Sequence, residues 1–227
     1  MPSYSESAPP KAALVDLDGT LISASSEKEL LVSLARGGHI SARGLLRFLA
    51  AYALHPLRTL SRGKGWNRSY LRGMDPDLLE GQCSLLAEEL RRRVRPEVSE
   101  LVGSWSEGGT RVVLISASLQ PLASQLASLC GASRVVASVP EVSGGRLTGA
   151  LSGPRPWGRR KAELARAVLG ELAVPASEAA ALGDSWSDRH VLRLCGRPVA
   201  VSPGRRLRRL AEAEGWRVME GRRAGWA

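Results

Sequence analysis

Three times in this chain a short, largely apolar run stops at a polar cluster, and that repetition constrains the fold more than any other feature. Ala12-Ala13-Leu14-Val15 ends on Asp16-Leu17-Asp18-Gly19-Thr20, and Arg111-Val112-Val113-Leu114-Ile115 ends on Ser116-Ala117-Ser118. Ala179 to Leu182 ends on Gly183-Asp184-Ser185-Trp186-Ser187-Asp188. Runs this short and this apolar read as buried strands. Helical segments separate them, and strands alternating with helices imply right-handed crossovers and a parallel sheet. Ligands of such a sheet bind in the crevice beyond the carboxyl ends of its strands. The polar clusters therefore meet at one rim.

The segment after the first strand breaks the alternation. Ser26-Glu27-Lys28-Glu29 has the form of a capping box, followed by Leu30, Leu31 and Leu34, and predicts a helix up to Gly37-Gly38. A second helix is expected over Ala42 to Leu54, before Pro56. Asp75-Pro76 reads as the N-cap and first residue of a helix reaching Arg93, and Pro96 opens another that Gly108-Gly109 stops. Further on, a helix from Pro121 to Cys130 precedes a short strand at Val135 to Ala137. Ser143-Gly144-Gly145 marks a β-hairpin within Glu141 to Leu151. A helix around Lys161 to Leu169, the strand Ala179 to Leu182, a helix at Val191 to Leu194, the strand Pro198 to Val201, a helix at Leu207 to Ala213 and a last strand at Trp216 to Met219 complete the pattern. The expected fold is α/β, a doubly wound parallel sheet with an inserted helical module. Residues 1–11 form a flexible tail, 12–23 and 96–227 the α/β core, and 24–95 the helical insert.

Composition narrows the function. The chain has 227 residues, 44% hydrophobic and 24% charged, which is ordinary for a globular protein with a sizeable core. No stretch approaches the ~18 uninterrupted apolar residues of a membrane span, and Met1 to Lys11 lack the apolar region of a signal peptide. Cys83, Cys130 and Cys195 are far apart and offer neither a disulfide framework nor a metal spacing, so a cytoplasmic setting is expected. The net charge of +10 comes almost entirely from arginine, lysine occurring only at positions 11, 28, 64 and 161. No aromatic-interleaved basic stripe accompanies it, so an anionic small-molecule substrate explains the charge more economically than nucleic acid. The Arg-bearing apolar segment Leu45 to Leu60 reads as a cap helix packed on its neighbours, or as an amphipathic helix able to lie on an anionic bilayer.

The rim collects a distinct chemistry. Asp16 can attack as a carboxylate nucleophile while Asp18 shuttles a proton. Gly19 lets the backbone approach a ligand, and Thr20 adds a hydroxyl. Ser116 and Ala117 end the second strand, Lys161 stands near the start of a helix, and Gly183, Asp184 and Asp188 follow the third strand. Carboxylates, a hydroxyl, a lysine and glycine turns suit Mg²⁺ and a phosphoryl group. Alone, the first cluster would also read as an acidic turn and Lys161 as a solvated helix residue. His39, His55 and His190 are scattered, and the tryptophans read as core or interface, Trp66 and Trp186 excepted.

With these four stations in order, the chain resembles the haloacid-dehalogenase-like (HAD) superfamily of aspartate-nucleophile phosphatases. Asp16 to Thr20 match its first motif, Ser116 the second, Lys161 the third, and Gly183-Asp184 with Asp188 the fourth. An insert directly after the first motif is similar to the C1 cap of the phosphoserine-phosphatase-like branch, subfamily IB. The resemblance implies a Mg²⁺-dependent phosphomonoester hydrolase acting through a phosphoaspartate on a small phosphorylated metabolite. In that reading Asp16, the Asp18 backbone carbonyl and Asp184 hold the metal, Asp18 is the general acid and base, Ser116 and Lys161 hold phosphate oxygens, and Asp188 supports them. Phosphoserine phosphatases carry a substrate-binding glutamate seven residues after the second aspartate; Ser25 stands there, with Glu27 two residues later. Their carboxylate-binding arginine has Arg72, in Asn67-Arg68-Ser69-Tyr70-Leu71-Arg72-Gly73, as its nearest candidate. A lipid-like phosphate phosphatase, a phosphomutase and a non-catalytic basic interaction protein on this fold remain the alternatives.

Overall fold

A computed structural model describes residues 8–40, 42–55 and 67–221. Trp66, the end of the Leu45 to Leu60 segment, Arg222-Arg223 and most of the N-terminal tail lie outside them.

β1 (Ala12–Val15) is buried at every position because it is the centre of the sheet. It pairs in parallel with β2 (Arg111–Leu119) on one side and β6 (Ala179–Gly183) on the other. β3 (Arg134–Ser138) extends the sheet beyond β2, while β7 (Arg197–Val201) and β8 (Arg217–Met219) extend it beyond β6. The order β3-β2-β1-β6-β7-β8 reverses direction between β1 and β6, which puts the switch point of a doubly wound sheet beside Asp16.

Residues alternate between the two faces of the sheet, and both faces are covered. Ala13, Val15, Val112, Leu114, Ala180 and Leu182 join one core; Ala12, Leu14, Val113, Ile115, Ala179 and Ala181 join the other. Each large side chain so enclosed contributes about 1.5–3 kcal/mol relative to exposure. The first core is completed by α1 (Ser26–Arg36), α3 (Pro76–Arg91), α4 (Pro96–Glu107) and α5 (Gln120–Leu126). The second is completed by α6 (Arg159–Glu171), α7 (Arg189–Leu194) and α8 (Arg205–Ala213).

Among the described residues the insert comprises α1, α2 (Ala42–Leu54), a 3₁₀ turn at Ser69–Leu71, and α3. Its ends are tied together: Ser23 N donates to Arg93 O at 2.8 Å and Arg95 N to Leu21 O at 2.9 Å. Asp75 caps α3 as expected, its carboxylate accepting from Asp77 N at 3.0 Å. The expected hairpin forms from β4 (Pro140–Ser143) and β5 (Arg146–Leu151), and it packs on the insert. Gly73 N donates to Leu147 O at 2.8 Å, and Leu147 N to Met74 O at 2.9 Å. Gly149, at φ +81°, lets that approach happen, since a Cβ there would sit 3.1 Å from Arg68 O. No helix among the described residues is long and apolar enough to cross a membrane.

Three local expectations differ from the structure: β2 runs on past Ser116 to Leu119, the helix expected to reach Cys130 ends at Leu126 and continues as a 3₁₀ turn, and the first capping box is missing. The Ser26–Glu29 capping box does not form: Ser25 is the N-cap residue and makes no side-chain cap. Ser26 is already helical, and its hydroxyl and N–H are used elsewhere.

Candidate active site

Asp16 follows β1 immediately, and its N–H still reaches Leu182 O of β6 at 3.1 Å. That bond fixes the backbone between two strands and leaves the side chain at the rim. Lys161, from the first turn of α6, places Nζ 2.6 Å from Asp16 Oδ1 and 2.7 Å from Asp188 Oδ1. All three residues are buried, Lys161 only 3% exposed. Asp188 is itself anchored, Oδ2 accepting from Ser185 N at 3.1 Å and from Ser185 Oγ at 2.5 Å. This reciprocal box at Ser185–Asp188 is where a capping box does occur.

Charge is poorly balanced here. Burial, above all, raises the Asp16 carboxyl well above its ordinary value; Lys161 opposes this, and Asp188 and Asp184 add to it. Burial likewise opposes the charge of Lys161, yet Asp16 and Asp188 outweigh it and hold the ammonium above the usual lysine range. Burial, followed by the charge of Asp188, pushes Asp184 up to about 7. Three carboxylates thus face one ammonium.

Asp18 lies on the turn beyond Asp16. Its Oδ1 accepts from Ser26 N, the first turn of α1, at 3.0 Å. Burial raises its pKa, while hydrogen bonds from Ser26 and Ser118 pull it down. Ser26 Oγ and Ser116 Oγ both reach Ser118 Oγ, at 2.7 and 3.0 Å. Ser118 thus joins Ser116 to Ser26 beside the second aspartate. Gly19, at φ +78°, is required: a Cβ there would meet Asp184 Oδ2 at 2.2 Å. The Thr20 hydroxyl is enclosed 3.3 Å from Asp16 Oδ2 and 3.5 Å from Asp184 Oδ1, so it orients the two carboxylates.

Two cavities meet at this point. The smaller, about 190 Å³, is lined by Asp16, Ser116, Lys161, Asp184, Asp188 and Trp157 among others. The larger, about 420 Å³, opens toward the insert, between Leu31, Phe48, Tyr52, Tyr70, Glu27 and Arg155. Asp18 and Ala117 line both. Phe48 packs edge-on against Tyr52 and Tyr70, with centroids 5.1 and 5.4 Å away.

The structure brings Glu27 to the larger cavity but not Arg72, which is exposed and lines neither cavity. Arg68, four residues earlier and 1% exposed, pairs with Glu27 instead, Nε to Oε1 at 3.0 Å. Its Nη2 also donates to Ala117 O at 3.1 Å. Burial raises the Glu27 carboxyl, and Arg68 and Arg155 counter it. Arg155 is brought down to about 10 by burial, against the pull of Glu27. Arg68, Arg155 and the aromatic wall escape sequence reasoning; the one signal is the Pro154-Arg155-Pro156 frame, which stiffens the chain ahead of α6. Trp186 lines neither cavity; Arg206 and Arg189 stand 3.9 and 4.5 Å from its ring. Cys83, Cys130 and Cys195 are buried free thiols, pushed up to about 12, 11 and 12 by burial.

The donor set fits a small divalent cation. Asp16, Asp184 and Asp188 each bring a carboxylate oxygen within 4.8 Å of the others. Both oxygens of Asp188 are already engaged, by Lys161 and Ser185, whereas among the described residues Asp184 has only the distant Thr20 hydroxyl as a side-chain donor. Hard oxygens and excess negative charge are what Mg²⁺ compensates.

Known proteins resemble this chain in sequence and in fold. Residues 13–193 match the model of the haloacid dehalogenase-like hydrolase family. The chain is 32% identical, over 94% of its length and 79% of the relative's, to an inhibition of morphological differentiation protein of Streptomyces azureus. It is 28% identical to a phosphoserine phosphatase of Mycobacterium tuberculosis, over 92% of this chain and 70% of that one. A crystal structure of a protein of unknown function from Bordetella pertussis superposes with a TM-score of 0.77 at 22% identity, covering 93% of this chain and 98% of the other.

Proposed function

The chain belongs to the haloacid dehalogenase-like hydrolase family, and from that premise we propose that it is a Mg²⁺-dependent phosphomonoesterase that works through a phosphoaspartate on Asp16. The observation that carries the proposal is the meeting of the two cavities at Asp18. The smaller holds the groups suited to a phosphoryl group, and the larger has room for the alcohol that departs. An acid on their common boundary stands where the scissile oxygen would lie.

In this reading Asp16 attacks phosphorus, the P–O bond to the leaving group breaks, and Asp18 gives its proton to the departing alkoxide. Asp18 then takes a proton from the water that attacks the phosphoaspartate, releasing inorganic phosphate and restoring both carboxyls. A carboxyl raised by burial suits the first task, and one still reached by donors suits the second. Ser116, the Ala117 backbone and Lys161 would hold phosphoryl oxygens. Asp16, Asp184 and the Asp18 carbonyl would hold Mg²⁺, which supplies charge neutralisation for a dianionic phosphate among carboxylates. We assign residues 24–95 to a cap over the core of 12–23 and 96–227, and a small phosphorylated metabolite as substrate. The Mycobacterium tuberculosis relative named as a phosphoserine phosphatase supports that class. The pairing of Glu27 with Arg68 argues for a leaving group other than serine, since an amine would have to compete with a buried guanidinium.

Hydrolysis of p-nitrophenyl phosphate with Mg²⁺, with Ca²⁺ and with excess EDTA tests the proposal. Turnover is expected with Mg²⁺ alone, because a small oxygen site favours near-octahedral geometry. Undiminished turnover in EDTA contradicts it.

A further inference from the structure

α2 carries a broad apolar arc, and only one edge of it is covered. Gly44, Phe48 and Tyr52 turn inward, the two rings walling the larger cavity. Along the adjoining edge Leu45, Leu46 and Leu49 are 41%, 68% and 56% exposed, and Leu54 at the helix end is 73% exposed. Ala42, Leu45, Leu46, Leu49 and Ala53 follow the i, i+3, i+4, i+7, i+11 spacing of a single helix face. Four of the eight large apolar side chains exposed among the described residues belong to this one helix. Exposure concentrated in this way marks an interaction surface rather than the scattered apolar residues of an ordinary exterior.

Charge identifies what covers it. From Leu30 to Met74 the sequence contains eight Lys or Arg and no Asp or Glu. Arg43 and Arg47 are exposed on α2 itself, beside the leucines. A second copy of the chain would bring these arginines against their own kind, in a protein already carrying +10. An anionic surface with an apolar interior satisfies both features at once. Leucines enter the acyl boundary while arginines stay at the headgroups. The helix has 13 residues and spans about 20 Å, too short for a ~30 Å hydrocarbon layer, so it would lie in the interface.

We infer that α2 docks the protein on an anionic lipid bilayer, with its leucine face in the interface and its aromatic face still roofing the cavity beside Asp18. Docking places that cavity within about one helix diameter, ~10 Å, of the bilayer surface. The inference is independent of the chemistry assigned to Asp16.

Co-sedimentation of the full chain with vesicles tests it, comparing phosphatidylglycerol–phosphatidylcholine mixtures with phosphatidylcholine alone. Binding is expected to the anionic vesicles, at least about tenfold weaker to the neutral ones, and weakened by salt. The double variant Leu46→Gln/Leu49→Gln should lose most of this binding while keeping its thermal midpoint, both side chains being exposed. Arg43→Ser/Arg47→Ser should erase the preference for anionic lipid, and it decides the matter should the leucine variant not fold. No pelleting with anionic vesicles overturns the inference, as does equal binding to both kinds or binding unaltered in the folded variants. A dimer in analytical ultracentrifugation that the leucine variant abolishes would instead make this face a contact between copies.

Discussion

Lys161 is the residue on which the geometry of the site turns, a buried ammonium shared at 2.6 and 2.7 Å between Asp16 and Asp188. A lone buried lysine would lose its proton; two carboxylates keep it charged and are in turn held in place by it. Gly19 shows how little room this arrangement leaves. Gly19→Ala would demand a left-handed backbone that alanine enters at a cost of about 1–2 kcal/mol. Its Cβ would also lie 2.2 Å from Asp184 Oδ2, so the carboxylate must move. A displacement of about 1 Å at reacting groups commonly costs ~10²-fold. Turnover of p-nitrophenyl phosphate by Gly19→Ala is therefore expected to fall at least about 10²-fold, with denaturant unfolding showing a folded protein. Wild-type turnover would mean that Asp184 is not held where the site needs it.

At the scale of elements, what the sequence makes legible is whatever is decided locally. The strands are legible because both sheet faces are covered, so Ala12 to Val15 and Ala179 to Leu182 need no polar alternation. Asp75 is legible as a cap because its acceptor role is satisfied two residues away. Ser26 is misleading because its partners, Asp18 and Ser118, come from other elements, 8 and 92 residues distant. The same holds for Arg68 and Arg72. Both precede or end one 3₁₀ turn, and only the fold decides that the first points into the insert and the second into solvent. Removing one member of a buried ion pair typically costs about 3–5 kcal/mol, whereas an exposed substitution stays within about 0.5 kcal/mol. Urea unfolding of Arg68→Met should therefore show a loss of about 3–5 kcal/mol, and that of Arg72→Met almost none. Equal effects would contradict the placement of the Glu27–Arg68 pair.

At the scale of the whole molecule, the reversal of strand order between β1 and β6 is what joins residues more than 160 positions apart, Asp16 and Asp184, at one rim. The order of motifs along the chain made the catalytic rim legible, since each group follows an apolar run. The larger cavity was not legible, because its walls come from α1, α2, the 3₁₀ turn and the segment before α6, which share no pattern in sequence. The central claim is that Asp16 carries the phosphoryl group and Asp18 moves the protons. Intact-protein mass spectrometry after mixing with p-nitrophenyl phosphate and Mg²⁺, quenched in acid, tests it most directly. General acid–base catalysis is worth about 10²–10⁴-fold, and a leaving group as good as p-nitrophenolate needs little protonation. Asp18→Asn should then form the phosphoenzyme faster than it hydrolyses it, and gain the mass of one phosphoryl group on Asp16. Asp16→Asn should gain none and turn over no ester. A phosphoryl adduct on Asp16→Asn, or wild-type turnover by that variant, would contradict the assignment of the nucleophile.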